Sequence, residues 1–398
     1  MKTYNRNALI LLFSVTYFVS YLTRINYGAV ISEMEATTGF SKQLLSMAVT
    51  GSFITYGAGQ ILTGILGDRV SPKKLVRLGL IVTVSMNLIL PFCDFSPWIM
   101  AVVWSINGLA QAFMWPPIVK LLLSFFSKAR YTKAVLRVAW GSSVATIVTY
   151  LFAPFIILIL GWKGVFFFSA TCGVIMIVLW QVFCPDIQPV KKTVAQTNQQ
   201  SNVKVFAPIF FIVCTAVVIC GMLRDGVATW TPSLISESFN LGNKVGILSG
   251  AVLPIFSMLC YEIALTLYRK KFTNPVTCGG IIFGIGVLSA VVLWVSLGKA
   301  PIVSVIGISL LNGAMHGVNL MFTSIVPSFY TNTGKVSTVS GVLNSFVYIG
   351  SAISTYGIAL LTDNFGWTVT VIVWIGLAVA GSAIALTSAN TWEKKLPQ

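Results

Sequence analysis

Long apolar stretches follow one another along almost the whole chain, with short polar loops between them. Each has about the roughly 20 residues that a helix needs to cross a bilayer. They predict twelve transmembrane helices at 8–32, 43–66, 76–93, 98–126, 132–160, 164–184, 206–236, 244–268, 275–297, 301–329, 336–362 and 367–388. The polar stretch 185–204 predicts a linker between the halves 1–184 and 205–398.

The composition argues against a soluble protein. Hydrophobic residues make up 56% of the chain and charged residues 9%, whereas a soluble domain has about 25% charged residues. The predicted fold class is therefore an all-α membrane protein. The seven cysteines lie in or beside apolar stretches without a CxxC spacing, which is typical of small buried side chains.

The basic residues are divided unevenly between alternate loops. With both termini in the cytoplasm, nineteen of the 26 Lys and Arg lie in inner loops and tails, and four in outer loops. This positive-inside pattern predicts cytoplasmic termini and explains the net charge of +16 without nucleic acid. The first apolar run is too long for a signal peptide and contains Arg24, so it is predicted to be a span.

Three landmarks recur along the chain at nearly constant spacing. The pairs are Arg24 and Arg224, Arg69 and Arg269, and Gly161-Trp162 and Gly366-Trp367. The first two pairs are 200 residues apart and the third is 205 residues apart. Such a repeat predicts two parallel six-helix halves, the arrangement of a major facilitator transporter.

The loop between spans 2 and 3 fits the same interpretation. Gly64 to Lys74 resembles the G-x-x-x-D-R-x-G-R-[KR] loop of that superfamily, with Ser71 where Gly is usual. Asp68 and Arg69 are candidate gating residues, because Asp68 can cap a helix end and pair with a nearby Arg.

Charges inside the apolar stretches are the main candidates for function. A charge at the bilayer centre costs at least about 2.5 kcal/mol and usually faces a water-filled cavity or a substrate path. The five ionisable residues in this position are Arg24, Lys120, Arg224, Asp225 and His316.

Arg24 and Arg224 occupy matching places in the two halves, where we expect them to face one cavity and bind a phosphate or carboxylate through their N–H forks. The alternative is that each forms a structural ion pair or reaches the membrane surface. Asp225 need not contact Arg224, because adjacent helical residues point about 100° apart; it orients another group or carries a proton. For Lys120 and for His316, both a role in the cavity and a structural role stay open.

Polar and aromatic side chains accompany Arg24. Tyr17 and Tyr21 precede it by seven and three residues and share its helix face, and Tyr56 and Gln60 are four residues apart in span 2. Hydroxyl and amide groups beside an arginine suit a polar substrate.

Several strings resemble the organophosphate:phosphate antiporters of the major facilitator superfamily. They are Tyr21-Leu-Thr-Arg24-Ile-Asn26, Asn107-Gly108 with Gln111 and Trp115-Pro116-Pro117, Leu223-Arg224-Asp225-Gly226 with Trp230-Thr231-Pro232, and Gly341 to Tyr348 with Gly366-Trp367. The resemblance implies exchange of an organic phosphate for inorganic phosphate by alternating access. It also implies that Arg24 and Arg224 bind substrate and that Tyr17, Tyr21, Tyr56 and Tyr348 line the cavity.

Three positions depart from the family pattern. Gln60 stands where a Lys is usual, Ser142 about where a His is usual, and His316 where Tyr is common. Two alternatives therefore stay open: a proton-coupled symporter of a carboxylate such as a sugar acid, and a sugar-phosphate receptor that does not transport.

The other expectations concern partners and location. We expect a monomer in a bacterial inner membrane with a small anion as its ligand. No motif resembles an ATP-binding loop, a metal site or a nucleophile triad, so neither an enzyme nor a cofactor is expected.

Overall fold

The computed structural model describes residues 6–66, 70–126, 128–186, 208–327, 329 and 336–394. The first half contains α1 (Arg6–Thr38), α2 (Lys42–Leu66), α3 (Pro72–Ile89), α4 (Pro97–Gln111 and Trp115–Phe125), α5 (128–160) and α6 (162–183). The second half contains α7 (Pro208–Phe239), α8 (Gly242–Lys270), α9 (Pro275–Ser296), α10 (Pro301–Ile325), α11 (336–365) and α12 (367–394).

Nine helical stretches of the described residues are long and apolar enough to cross a membrane. Two of these stretches each consist of two helices joined at a glycine, so the nine contain eleven helices. The twelfth is α2, whose 25 residues are long enough to span but include the polar Tyr56 and Gln60. The predicted helices are therefore present within the described ranges.

Internal contacts divide the chain into two compact units, Met1–Val190 and Lys191–Gln398. In the first unit α1 packs against the α5–α6 segment and α2 packs against α4; in the second, α7 packs against the α11–α12 segment and α8 against α10. This equivalence supports the predicted repeat. The predicted linker boundaries stay a prediction, because 187–207 lie outside the described residues.

The Gly-Trp landmarks mark the same turn in both halves. Gly161 has φ 66° and ψ −177°, and Gly366 has φ 74° and ψ 177°. This region of backbone conformation is open essentially to glycine alone. The glycines therefore let α5 turn directly into α6, and α11 into α12, where the sequence pattern had predicted loops of three and four residues.

The helix α4 bends where the sequence places two prolines. Its first part ends at Gln111 and its second part begins at Trp115, with Pro116 in the first turn. A proline in the first turn loses no helical hydrogen bond, because its N–H would have no intrahelical partner there. The predicted span 98–126 therefore consists of two helical parts rather than one continuous helix.

Candidate functional site

The Arg24 cluster consists of Arg24 on α1 with three aromatic rings. The guanidinium carbon lies 4.1 Å from the centroid of Tyr56, 5.5 Å from that of Tyr21 and 5.9 Å from that of Phe53. All three distances are within the range of cation–π attraction. The rings of α1 and α2 thus hold a half-buried cation in a predominantly apolar stretch of the chain.

The face of α1 on the N-terminal side of Arg24 is aromatic. The rings of Tyr17 and Tyr21 lie 5.0 Å apart in an edge-to-face arrangement, and Tyr17 also lies 4.7 Å from Trp115 of α4. The prediction that Tyr17 and Tyr21 share a face is confirmed, and Trp115 extends that face to the second part of α4.

Gln60 follows Tyr56 by one turn of α2. Tyr56 is 5% exposed, and Gln60 is half-buried. The Nε2 atom of Gln60 is buried and has no hydrogen-bond partner among the residues that the structure describes. Because an unsatisfied buried donor is unfavourable, an amide left in this state is well suited to donate to an oxygen of a bound anion.

A buried polar network surrounds the residue next to Arg24 in the chain. The backbone carbonyl of Thr23 accepts hydrogen bonds from Asn87 Nδ2 and Asn107 Nδ2, both at 3.0 Å. The Thr23 hydroxyl accepts a hydrogen bond of 3.1 Å from Gln111 Nε2. These groups are all at most 2% exposed. We call the set Thr23, Asn26, Asn87, Asn107 and Gln111 the Thr23 network.

The Thr23 network also reaches α6. Asn26 Nδ2 donates to Asn87 Oδ1 at 2.8 Å and to Ser169 Oγ at 3.2 Å. Helices α1, α3, α4 and α6 are therefore joined by hydrogen bonds on one side of α1. Buried hydrogen bonds of this kind fix the rotation and register of a helix, so the network holds in place the part of α1 that carries Arg24.

The Arg224 cluster lies on α7 of the second half. Arg224 is 8% exposed, and it donates through Nε to Asp225 Oδ1 and through an Nη to Asp225 Oδ2, both at 2.7 Å. Ser351 Oγ of α11 donates to Asp225 Oδ2 at 2.6 Å. The structural ion pair that the sequence left open as the alternative is therefore present at Arg224, and Asp225 does contact its neighbour.

The backbone explains this pairing of adjacent residues. Met222–Gly226 forms a π-helical turn rather than a regular α-helical one, and such wide turns are often found at functional sites. The 100° separation assumed from the sequence applies to a regular α-helix. The wide turn instead places the guanidinium and the carboxylate side by side.

Two neighbouring helices hold the π-helical turn in place. Asn312 Nδ2 of α10 donates to the backbone carbonyl of Arg224 at 2.6 Å. The Oγ of Ser257 on α8 donates in turn to Asn312 Oδ1 at 3.1 Å. Gly221 of α7 lies against the backbone of Val347 in α11, where a Cβ atom would collide. This close approach brings the face of α11 that carries Ser351 against the Arg224–Asp225 pair.

The remaining predicted residues of the second half lie near this pair. The Tyr348 ring centroid is 5.8 Å from the Arg224 guanidinium carbon, and Tyr348 is 7% exposed. His316 of α10 is half-buried and lies within range of the charges of Arg224 and Asp225. The second half therefore brings four predicted residues together: Arg224, Asp225, His316 and Tyr348.

Lys120 and Ser142 lie on the second part of α4 and on α5, and both are half-buried. Helix α5 packs closely against α1 at Gly141, which faces the backbone of Ser14 and Phe18. Ser142 thus lies nearer the level of Tyr17 than that of Arg24. Asp68 and Arg69 lie outside the described residues.

Ser71, which directly precedes α3, has a specific hydrogen-bond partner. Its Oγ donates to Asp186 Oδ1 at 2.6 Å, and Lys73 Nζ donates to the carbonyl oxygens of Gln181 at 2.8 Å and Cys184 at 2.6 Å. The serine that departs from the superfamily loop pattern thus binds the segment after α6. Lys73 caps the C-terminal end of α6.

The sequence interpretation missed several residues of both clusters. Phe53, Ser351 and Asn312 were not predicted, although asparagine and serine inside apolar spans were a usable signal. The sequence motif in α4 included Asn107 and Gln111, but it assigned no structural role to them. Their role is to bind Thr23.

Comparisons with known proteins agree with this architecture. A family model described as Major Facilitator Superfamily matches residues 13–355. The chain is 24% identical over 414 residues to the glycerol-3-phosphate transporter of Bacillus subtilis (strain 168), covering 94% of this chain and 90% of that protein. It is 21% identical over 425 residues to the probable hexose phosphate transport protein of Chlamydia muridarum (strain MoPn / Nigg), covering 96% and 90%.

Among solved structures, a bacterial homolog of the human lysosomal transporter Spinster has a TM-score of 0.82 with 13% identity, covering 99% of this chain and 98% of that one. At this identity the likeness shows the fold alone. The predicted major facilitator fold is confirmed. The names of the two relatives support the resemblance to organophosphate:phosphate antiporters.

Proposed function

Because this chain belongs to the Major Facilitator Superfamily, we propose that it carries a small organic anion, a phosphate ester, across the membrane in exchange for inorganic phosphate. The family and the transporter-named relatives indicate a transporter rather than an enzyme. The single observation that carries the choice of an anion is the Arg24 cluster, in which aromatic rings hold a guanidinium within a span.

The chemistry of the Arg24 cluster supports anion binding. Rings attract a cation through their faces, whereas a guanidinium binds phosphate through N–H groups at its planar edge. The two interactions therefore do not compete for the same donors. The buried Nε2 of Gln60, one turn from Tyr56, adds a further donor.

The identity of the anion rests on the relatives. One is named a glycerol-3-phosphate transporter and the other a probable hexose phosphate transport protein, and both align along nearly the whole of this chain. A phosphorylated three-carbon or six-carbon compound is therefore the proposed substrate. Alternating access of the two halves, a monomeric state and a bacterial inner membrane with cytoplasmic termini complete the proposal.

The proposal is tested in proteoliposomes loaded with inorganic phosphate. Uptake of labelled glycerol 3-phosphate and glucose 6-phosphate is expected to depend on internal phosphate, and Arg24→Ala is expected to abolish it. Arg77→Ala is the matched control, because Arg77 is an exposed arginine on α3. Full activity of Arg24→Ala, or equal uptake without internal phosphate in wild type, would contradict the proposal.

A second candidate function has one observation in its favour. Asp225 lies beside Arg224, and His316 lies within range of the charges of both, so a proton acceptor is available next to a second cation. This arrangement suits proton-coupled symport of a carboxylate such as a sugar acid. Uptake that follows an imposed pH gradient and ignores internal phosphate would favour this candidate.

A further inference from the structure

We infer that the Asp225 carboxylate is an internal anion that competes with the substrate for the Arg224 guanidinium. The inference rests on the proposed function and concerns how tightly the second half binds its cargo. Asp225 is bonded to Nε and to one Nη of Arg224 in the bidentate geometry that a phosphate would use. An anion can occupy that edge only after the carboxylate has left it.

Hydrogen bonds from neighbouring helices hold Arg224 and Asp225 in this contact, so it is not a chance contact between two side chains. Ser351 Oγ donates to Asp225 Oδ2, and Asn312 holds the carbonyl of Arg224. Arg224 is 8% exposed, so water competes weakly for its donors and the contact is stronger than at a surface.

The pair also changes the charge that the second half presents. Arg224 and Asp225 together carry no net charge, and the positive charge of the guanidinium faces an incoming anion uncompensated only when the two side chains separate. A substrate anion therefore binds with the free energy of its own contacts less that of the internal contact it replaces. Such a competitor reduces the apparent affinity to the intrinsic affinity multiplied by the fraction of time that Arg224 is free of Asp225.

The two variants that test this inference weaken the competitor in different ways. Asp225→Asn removes its charge, and we expect phosphate to bind about tenfold tighter or more. Ser351→Ala leaves both charges in place and removes one hydrogen bond to the carboxylate, so a gain of about two- to fivefold is expected. Asp94→Asn is the matched control, because Asp94 pairs with Lys163 outside the Arg224 cluster.

The measurement is equilibrium binding of radiolabelled inorganic phosphate to the purified full chain in detergent, with thermal unfolding and gel filtration to establish folding. Tighter binding by Asp225→Asn, or by Ser351→Ala if the first variant does not fold, supports competition. Unchanged or weaker binding by a folded variant overturns it.

The same experiment separates the inference from the proposed function. Wild-type binding that is lost in Arg24→Ala, with no gain in Asp225→Asn or Ser351→Ala, preserves the anion site and overturns only the competition. Binding by Asp225→Asn but not by wild type supports competition even if wild type transports none of the phosphate esters. Absence of binding in every folded variant overturns both.

Discussion

The guanidinium carbon of Arg24 lies 4.1 Å from the centroid of the Tyr56 ring, so that a cation of α1 is stabilised by an aromatic residue of α2. The contact is worth about 0.5–2 kcal/mol, depending on how much water it excludes. Tyr56→Leu should therefore weaken phosphate binding by about 2- to 30-fold, whereas Tyr56→Phe retains the ring and should stay within about threefold. Equilibrium binding measures both variants, and equal losses in the two would show that the hydroxyl, rather than the ring, matters.

The shape of the Arg24 side chain matters as much as its charge. Arg24→Lys keeps a positive charge but loses the planar fork, so phosphate affinity should fall about tenfold or more. The same substitution at the exposed Arg77 is the control and should have no effect. Retained affinity in Arg24→Lys would mean that a point charge suffices at this position.

The Thr23 network predicts a stability effect that surface asparagines do not share. Asn87→Ala removes hydrogen bonds to Asn26 and Thr23, and the free energy of unfolding should fall by about 1–2 kcal/mol. The matched control is Asn364→Ala, because Asn364 is exposed and its Nδ2 donates to the Leu360 carbonyl of its own helix at 2.8 Å. Thermal unfolding in detergent compares the two, and equal midpoints would contradict a structural role for the network.

Gly366 and Gly376 both lie in the α11–α12 segment, but we expect substitution by alanine to change protein stability in opposite directions at the two positions. A Cβ atom at Gly366 or at Gly376 would meet no atom of the described residues within 4 Å, so the two positions differ in backbone conformation rather than in space. Gly366→Ala should destabilise the protein by about 1–3 kcal/mol, because φ is 74° there. Gly376→Ala, in a helix interior, should stabilise it by about 0.5–1 kcal/mol. Thermal unfolding that moves both variants in the same direction would refute the argument.

The sequence predicted the helices well, because a bilayer demands long apolar stretches whatever the tertiary contacts are. It also predicted that Arg24, Tyr17 and Tyr21 share a face, which follows from regular helical geometry. The Arg224–Asp225 contact could not be predicted in this way, because the π-helical turn depends on contacts with α10 and α11. Similarly, the Gly-Trp repeat indicated equivalent positions but did not reveal that the helices meet without a loop.

The Thr23 network was hidden for a different reason. Its members come from three different helices, and an amide or hydroxyl in an apolar stretch does not show by itself which residue it binds. Only the packing of α1 against α3 and α4 brings Asn87, Asn107 and Gln111 to Thr23.

The pairing of Arg224 with its own chain neighbour has a consequence for biosynthesis. A helix that enters the bilayer with an arginine at its centre must find a counter-charge, and in most bundles another helix supplies it. In α7 the acid is one residue away, so the segment is electrically neutral as soon as its wide turn has formed. The nascent chain thus brings this arginine and its counter-charge into the membrane within one helix, and the later contacts with α10 and α11 fix the wide turn that pairs them.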